Sequence, residues 1–171
     1  MTTTVKPGAR DLRSLARMWI PRGLVLAVVW VVARAIVGSI VEADPGVGTL
    51  ARMVGLLVVI VVAFVWAVFD GRTDRKVHPD PDHGGADLVS MWLAAGVLAG
   101  LVGGGFVSWL VGLTGIEMGD NSLLIEMIAA APWLLLLVFA GGVAGCAVGA
   151  RIAERGAPAY TGRRTVVMGE E

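Results

Sequence analysis

The sequence predicts an all-α, polytopic membrane protein, a bundle of four transmembrane helices with a charged cytoplasmic loop between helices 2 and 3. Three observations carry that prediction. Hydrophobic residues fill 56% of the 171 positions and charged ones only 16%, and the mean hydropathy is +0.77. Residues 53–69 and 88–116 contain no charged side chain, and about 20 predominantly apolar residues suffice to span a hydrocarbon core. Between those runs lies the polar stretch 70–87, whose charges and backbone groups are too costly to leave in lipid.

Residues 1–19 form a basic lead-in. Arg10, Arg13 and Arg17 alternate with Leu12, Leu15 and Met18, which suits either a short helix on the membrane surface or a partly disordered tail. The first crossing covers about 20–41, with Pro21 fitting its first turn. A cleaved leader processed at Val41-Glu-Ala43 is the alternative. Arg34 and the length of the apolar run weigh against it. The second crossing, about 53–69, follows a short loop, and Gly71 and Arg72 are expected to close it. Asp87 is a suitable N-cap for the third, about 88–113. The fourth covers about 132–150. Residues 121–131 either form a lip at the interface or extend that helix through a kink at Pro132. The membrane domain is thus 20–153, and 154–171 reads as a disordered cytoplasmic tail.

Four crossings put both termini on one side. Lys6, Arg10, Arg13, Arg17, Arg22, Arg72, Arg75, Lys76, Arg151, Arg155, Arg163 and Arg164 all fall there, with Arg52 opposite. The positive-inside rule then makes the termini cytoplasmic, in the cell membrane.

Small residues mark two helix faces. Gly96, Gly100, Gly104, Ser108 and Gly112 recur every four residues on the third helix, as do Gly141, Gly145 and Gly149 on the fourth. Such zipper-like grooves admit a neighbouring backbone, whether within the chain or on a second subunit. Gly103-Gly-Gly105 also has the composition of a hinge. Met18-Trp-Ile-x-x-Gly23 echoes Met91-Trp-Leu-x-x-Gly96, which suits either an internal repeat or the ordinary preferences of membrane helices.

Arg34 is the most informative single position. It shares a face with Gly23, Ala27, Trp30 and Gly38, while the other faces are mostly Val, Leu and Ile, so it is expected to point into the bundle. Two readings stand. With Trp30 it lines a path for an anion or other substrate, or it snorkels or forms a structural ion pair with Glu117, Asp120 or Glu126. Asp70 is the third path candidate, near the cytoplasmic mouth, with a cap or an ion pair near Arg72 as the alternative.

Several classes are disfavoured. A net charge of zero gives no electrostatic footprint for nucleic acid. Cys146 stands alone, so no internal disulfide forms. His78, Asp80, Asp82 and His83 match no recognised metal spacing, and no catalytic motif is present. We therefore expect no enzyme, no cofactor and no metal.

Trp19-x-x-Arg22-Gly23, Trp66-x-x-x-Asp70-Gly71-Arg72-x-Asp74, Pro79-Asp80-Pro81-Asp82 and Asp87-Leu88-x-x-x-Trp92-Leu93 resemble the bacterial four-helix drug/metabolite-transporter-like (B-4DMT) family over roughly residues 18–153. The resemblance implies a small cytoplasmic-membrane transporter without a defined substrate. The small multidrug exporters of the wider superfamily carry a buried glutamate in the first helix. Here that helix has no acid and carries Arg34 instead, which fits an anionic substrate, or no transport at all, better than export of a cationic drug.

Two functional classes follow. One is a small-molecule transporter that assembles as a homo-oligomer through its glycine faces. The other is a non-transporting scaffold or accessory subunit, whose partners are another membrane protein and the lipid bilayer.

Overall fold

The computed structural model describes the backbone of residues 9–79, 85–114 and 122–156, and the side chains from Met18 onward within those ranges. Four helices in it are long and apolar enough to cross a membrane. Helix α1 is Ala9–Ala43 and α2 is Gly48–Val77. Helix α3 spans Leu88–Gly112 and α4 spans Leu123–Gly156. The closely packed pairs are α1 with α2, α2 with α4, α4 with α3, and α3 with α1. The bundle therefore runs in the order α1–α2–α4–α3, and α1 and α4 face each other across a diagonal.

We call the end that holds Ala9, Val77, Leu88 and Gly156 the lower end. There Arg75 on α2 reaches Glu154 on α4 at 3.1 Å. The interior is built from small residues and a few large ones. Ala63, Ala67, Ala95 and Ala99 are buried with Leu26, Val59, Trp92, Leu134 and Val138. Val28, Val32, Ile36, Leu57, Phe69 and Ile128 lie exposed on the outside. Large apolar residues outside and small ones inside suit a bundle whose solvent is lipid, where close backbone packing drives association.

The glycines set how near the helices come. Gly141, Gly145 and Gly149 on α4 lie against the carbonyls of Ile60, Phe64 and Val68 on α2. Each step of four on one helix matches a step of four on the other, so the two run parallel in constant register. Gly96, Gly100 and Gly104 on α3 lie against Leu135, Ala131 and Ala130 on α4, antiparallel. A Cβ at Gly145 would fall 2.7 Å from the Ala67 Cβ, closer than packed carbons allow. Both glycine faces are thus covered inside one chain, and any second copy must meet the bundle elsewhere.

Element boundaries differ from the sequence expectation in several places, and before Pro132 the helical alternative is the one observed. Helix α1 does not start at Pro21, which lies inside it. The proline removes one backbone hydrogen bond, and next to the break the Arg22 guanidinium donates to the Met18 carbonyl. The lead-in from Ala9 is therefore continuous with the first crossing. Helix α2 starts at Gly48, after a 3₁₀ turn over Pro45–Val47 in which Asp44 accepts from the Gly46 N–H at 2.8 Å. It does not stop at Gly71 but runs on to Val77, because Gly71 is a close-approach point against the Cys146 backbone rather than a cap. Helix α4 begins at Leu123, which makes the stretch before Pro132 part of the helix, and it continues to Gly156.

Two segments are wound as π-helix, Gly100–Val107 in α3 and Glu126–Ala130 in α4. They pack against each other near the upper end. In α3 the Ser108 hydroxyl donates to the Gly103 carbonyl at 2.6 Å, satisfying a buried acceptor five residues back. In α4 the wide turn directly precedes Pro132, whose missing N–H already breaks the regular ladder there.

Candidate functional site: an upper cavity spanned by an ion pair

The register that brings α2 and α4 together leaves α1 and α4 apart at the upper end. The gap is a cavity of about 540 Å³ lined by residues of α1, α2 and α4, among them Trp30, Arg34, Arg52, Leu56, Glu126 and Trp133. Small-molecule sites commonly fall within about 300–1,000 Å³.

An ion pair crosses this diagonal. Arg34 Nη1 donates to Glu126 Oε2 at 2.9 Å, and Nη2 donates to Oε1 at 2.7 Å. The planar fork of a guanidinium matches a carboxylate in this two-point geometry. Glu126 is 2% exposed as a residue, whereas 21% of the Arg34 side chain is accessible. The acid is thus buried in the bundle and the base reaches the cavity. The π-helical turn begins at Glu126.

Arg52 is the third charged residue among the described lining. It is exposed, and among the described residues it makes no ion pair. Helix α3 brings no charged side chain anywhere from Leu88 to Gly112.

Of the three path candidates, the structure brings Arg34 and Trp30 to one cavity and puts Asp70 at the other end of the bundle. Asp70 is held not by Arg72 but by Arg22 of α1, through Nε to Oδ2 at 2.9 Å and Nη2 to Oδ1 at 2.7 Å. The Arg22 guanidinium also lies 5.6 Å from the Trp66 ring centroid, within range of a cation–π contact. Arg22 and Asp70 sit near the lower ends of antiparallel neighbours, a placement the sequence contained. Gly23, Ala27 and Trp30 are buried, while Gly38 is half-buried at the cavity.

Below Asp70 the chain is tied down locally. Asp74 accepts from the Ala86 N–H at 2.9 Å, and its Oδ1 lies 3.3 Å from the His78 ring nitrogen. Asp87 caps α3 through the Ser90 N–H at 3.0 Å. The Ser90 hydroxyl and backbone N–H hold the Asp87 carboxyl below the usual carboxylate range. Asp80, Asp82 and His83 lie outside the described residues, as do Glu117 and Asp120. Among the described residues no cluster of three or more His, Cys, Asp or Glu forms.

No protein-family profile matches the chain, and no similar curated protein was found.

Proposed function

We propose that this multi-pass membrane protein is a small-molecule transporter, with the upper cavity as its outward-facing substrate site and its termini in the cytoplasm. The observation that carries the reading is the cavity itself. Its lining includes Arg34, which lies within a candidate membrane-spanning helix, and ionisable residues within such helices mark substrate or ion paths. The bias of Lys and Arg supports the orientation. Because both glycine faces are used inside the chain, a homo-oligomer in this reading forms through the exposed apolar flanks.

The resemblance to the B-4DMT family enters the same proposal. Its quoted residues Arg22, Trp66, Asp70, Asp74 and Asp87 sit at the lower end, in ion-pair, ring-stacking and capping contacts. They speak to how the bundle is built, and leave the substrate to the upper cavity.

The scaffold reading has one observation of its own. Among the described residues the parallel α2–α4 seam is an extensive helix contact, and a tight seam suits a rigid accessory subunit.

Thiol accessibility separates the two. In a Cys146→Ser background, single cysteines at Ala33, Arg34 and Gly38 sample the cavity wall. Ala27, 4% exposed, is the packed control, and Val32, 50% exposed, the lipid-facing one. Labelling of intact cells by a membrane-impermeant maleimide at the three cavity positions, and at neither control, is the expected outcome. Silence at all three in inserted protein favours the scaffold.

A further inference from the structure

We propose that the upper cavity opens sideways into the bilayer between α2 and α4, and that it takes an uncharged, membrane-dissolved ligand carrying a hydrogen-bond acceptor for Trp30. This deepens the reading of the cavity as a substrate site, on which it rests, by naming the substrate class and its door. Two observations carry it: where the exposed lining residues stand, and which buried donor has no partner.

The helices part where the cavity lies. The glycine seam holds α4 against α2 from Ile60 down to Arg72. Above it the upper end of α2 packs on α1, with Gly55 against Val37 and Gly48 against Val41. Glu126–Ala130 of α4 packs instead on Gly100–Val107 of α3, with no comparably close packing on α1 or α2 among the described residues. The lining shows which gap is the mouth. Its exposed residues stand on α2, at Arg52, and on α4, at Ile125, Ala129 and Trp133, while those from α1 are buried or half-buried. Helices α2 and α4 are neighbours in the bundle order, so no other described helix stands outside their fork. In a membrane that side meets lipid.

A door in the hydrocarbon selects against charge, since an ion is costly to bring through it. The walls suit an apolar body, with Val37, Leu56, Ile125 and the indoles of Trp30 and Trp133. Arg34, which in the sequence suited an anion, is engaged with Glu126. The polar requirement comes from the floor. Trp30 is the lining residue of α1 nearest the lower end, and its indole N–H is buried without a hydrogen-bond partner. Buried N–H groups are seldom left so, and a carbonyl or ether oxygen on the guest satisfies this one. Trp92 is the other such indole, but the Cys146 thiol stands beside it and it does not line this cavity.

The test uses the full chain in phosphatidylcholine nanodiscs, with benzophenone as the photolabel and two displacers of similar shape. Phenyl benzoate carries acceptor oxygens, and 1,2-diphenylethane carries none. Saturable labelling of cavity-lining residues is expected, with the ester displacing about fivefold better than the hydrocarbon at equal concentration in the bilayer. Trp30→Phe keeps a ring, removes the donor, and should bring the two displacers level. Labelling that never saturates overturns the proposal. Equal displacement in the parent does the same, because any apolar chain, a lipid's included, then fills the site. A preference for the ester that survives Trp30→Phe also overturns it. If Trp30→Phe fails to insert, the comparison in the parent decides alone.

Spin labels locate the door. In a Cys146→Ser background, nitroxides at Leu56→Cys and Ala129→Cys report collisions with oxygen, which dissolves in lipid, and with a nickel chelate, which stays in water. Ile36 lies at the level of Leu56 and is 55% exposed on the outside of α1, so Ile36→Cys is the lipid reference. An oxygen-to-nickel ratio at Leu56 and Ala129 close to that at Ile36 is expected. A ratio dominated by nickel sinks the side opening and leaves a water-filled transport site standing. Oxygen access with maleimide silent at Ala33, Arg34 and Gly38 does the reverse.

Discussion

Arg22 and Arg34 both stand on α1, and each grips one carboxylate with two nitrogens of its guanidinium. Their surroundings differ. Arg22 joins neighbouring antiparallel helices at the lower end, stacks near Trp66 and leaves both partners partly exposed, at 17% and 13% for the two side chains. Arg34 spans the bundle diagonal at the upper end, beside a cavity and a π-helical turn, with a partner whose side chain is 3% exposed. The lower half is regular and closed by glycine contacts, while the upper half is irregular and open. An ion pair that staples adjacent helices replaces contacts the backbone nearly makes anyway. One that crosses a diagonal holds apart what it joins.

That contrast breaks or sharpens under substitution. The largest effect is expected at Glu126→Ala, which removes the buried two-point partner of Arg34. Loss of one partner of a buried pair costs about 3–5 kcal/mol, readable by SDS titration in mixed micelles. The exchanged pair Arg34→Glu with Glu126→Arg should recover part of it. Gly145→Leu comes next. It forces the α2–α4 seam apart where Phe64 and Ala67 press on the glycine, for about 3 kcal/mol. If Gly145→Leu proves neutral, the lower half is not the tight half. Arg22→Ala should cost only about 1–2 kcal/mol, because the carboxylate it leaves, Asp70, has more access to water than Glu126. A loss as large as at Glu126 would erase the distinction between the two ends.

Smaller still is Asp87→Ala, which removes an N-cap worth about 1 kcal/mol. Its pH dependence has a definite sign. The folded carboxyl titrates lower than the unfolded one, near 3.8, so its contribution is whole above that value. The contribution is lost as pH falls through the lower folded value. Acid titration of the wild type against Asp87→Ala should show the difference between them vanish only at the acid end. Gly156→Ala, with no neighbour within 4 Å, should change nothing measurable.

Much of this was legible in the residues themselves. Long apolar runs announced four spans, and the stripe through Gly23, Ala27 and Trp30 showed which side of α1 turns inward. Glu126 was among the acids within reach of Arg34. What stayed hidden depends on partners distant in sequence. Gly71 has the composition of a helix stop, and only the Cys146 backbone on α4 gives it another use. Pro132 suggested a break, but whether the chain before it lies at the interface or in the bundle turns on Glu126 meeting a charge on another helix. The wide turns over Gly100–Val107 and Glu126–Ala130 leave no periodic signature, since they shift side-chain phase within a stretch already apolar or small.

The diagonal pair also carries a consequence for biogenesis. Arg34 and Glu126 lie 92 residues apart in the chain, so during synthesis the first helix reaches the membrane well before its counter-ion has been made. Insertion of that helix has to absorb an arginine at about 2.5–3.5 kcal/mol, offset by flanking Val, Leu and Ile worth about 0.3–0.6 each. The dense aliphatic run around Arg34 thus serves the nascent chain as well as the lipid-facing surface of the finished bundle. Arrival of the fourth helix gives the arginine the Glu126 carboxylate, so that insertion ties the last described helix to the first.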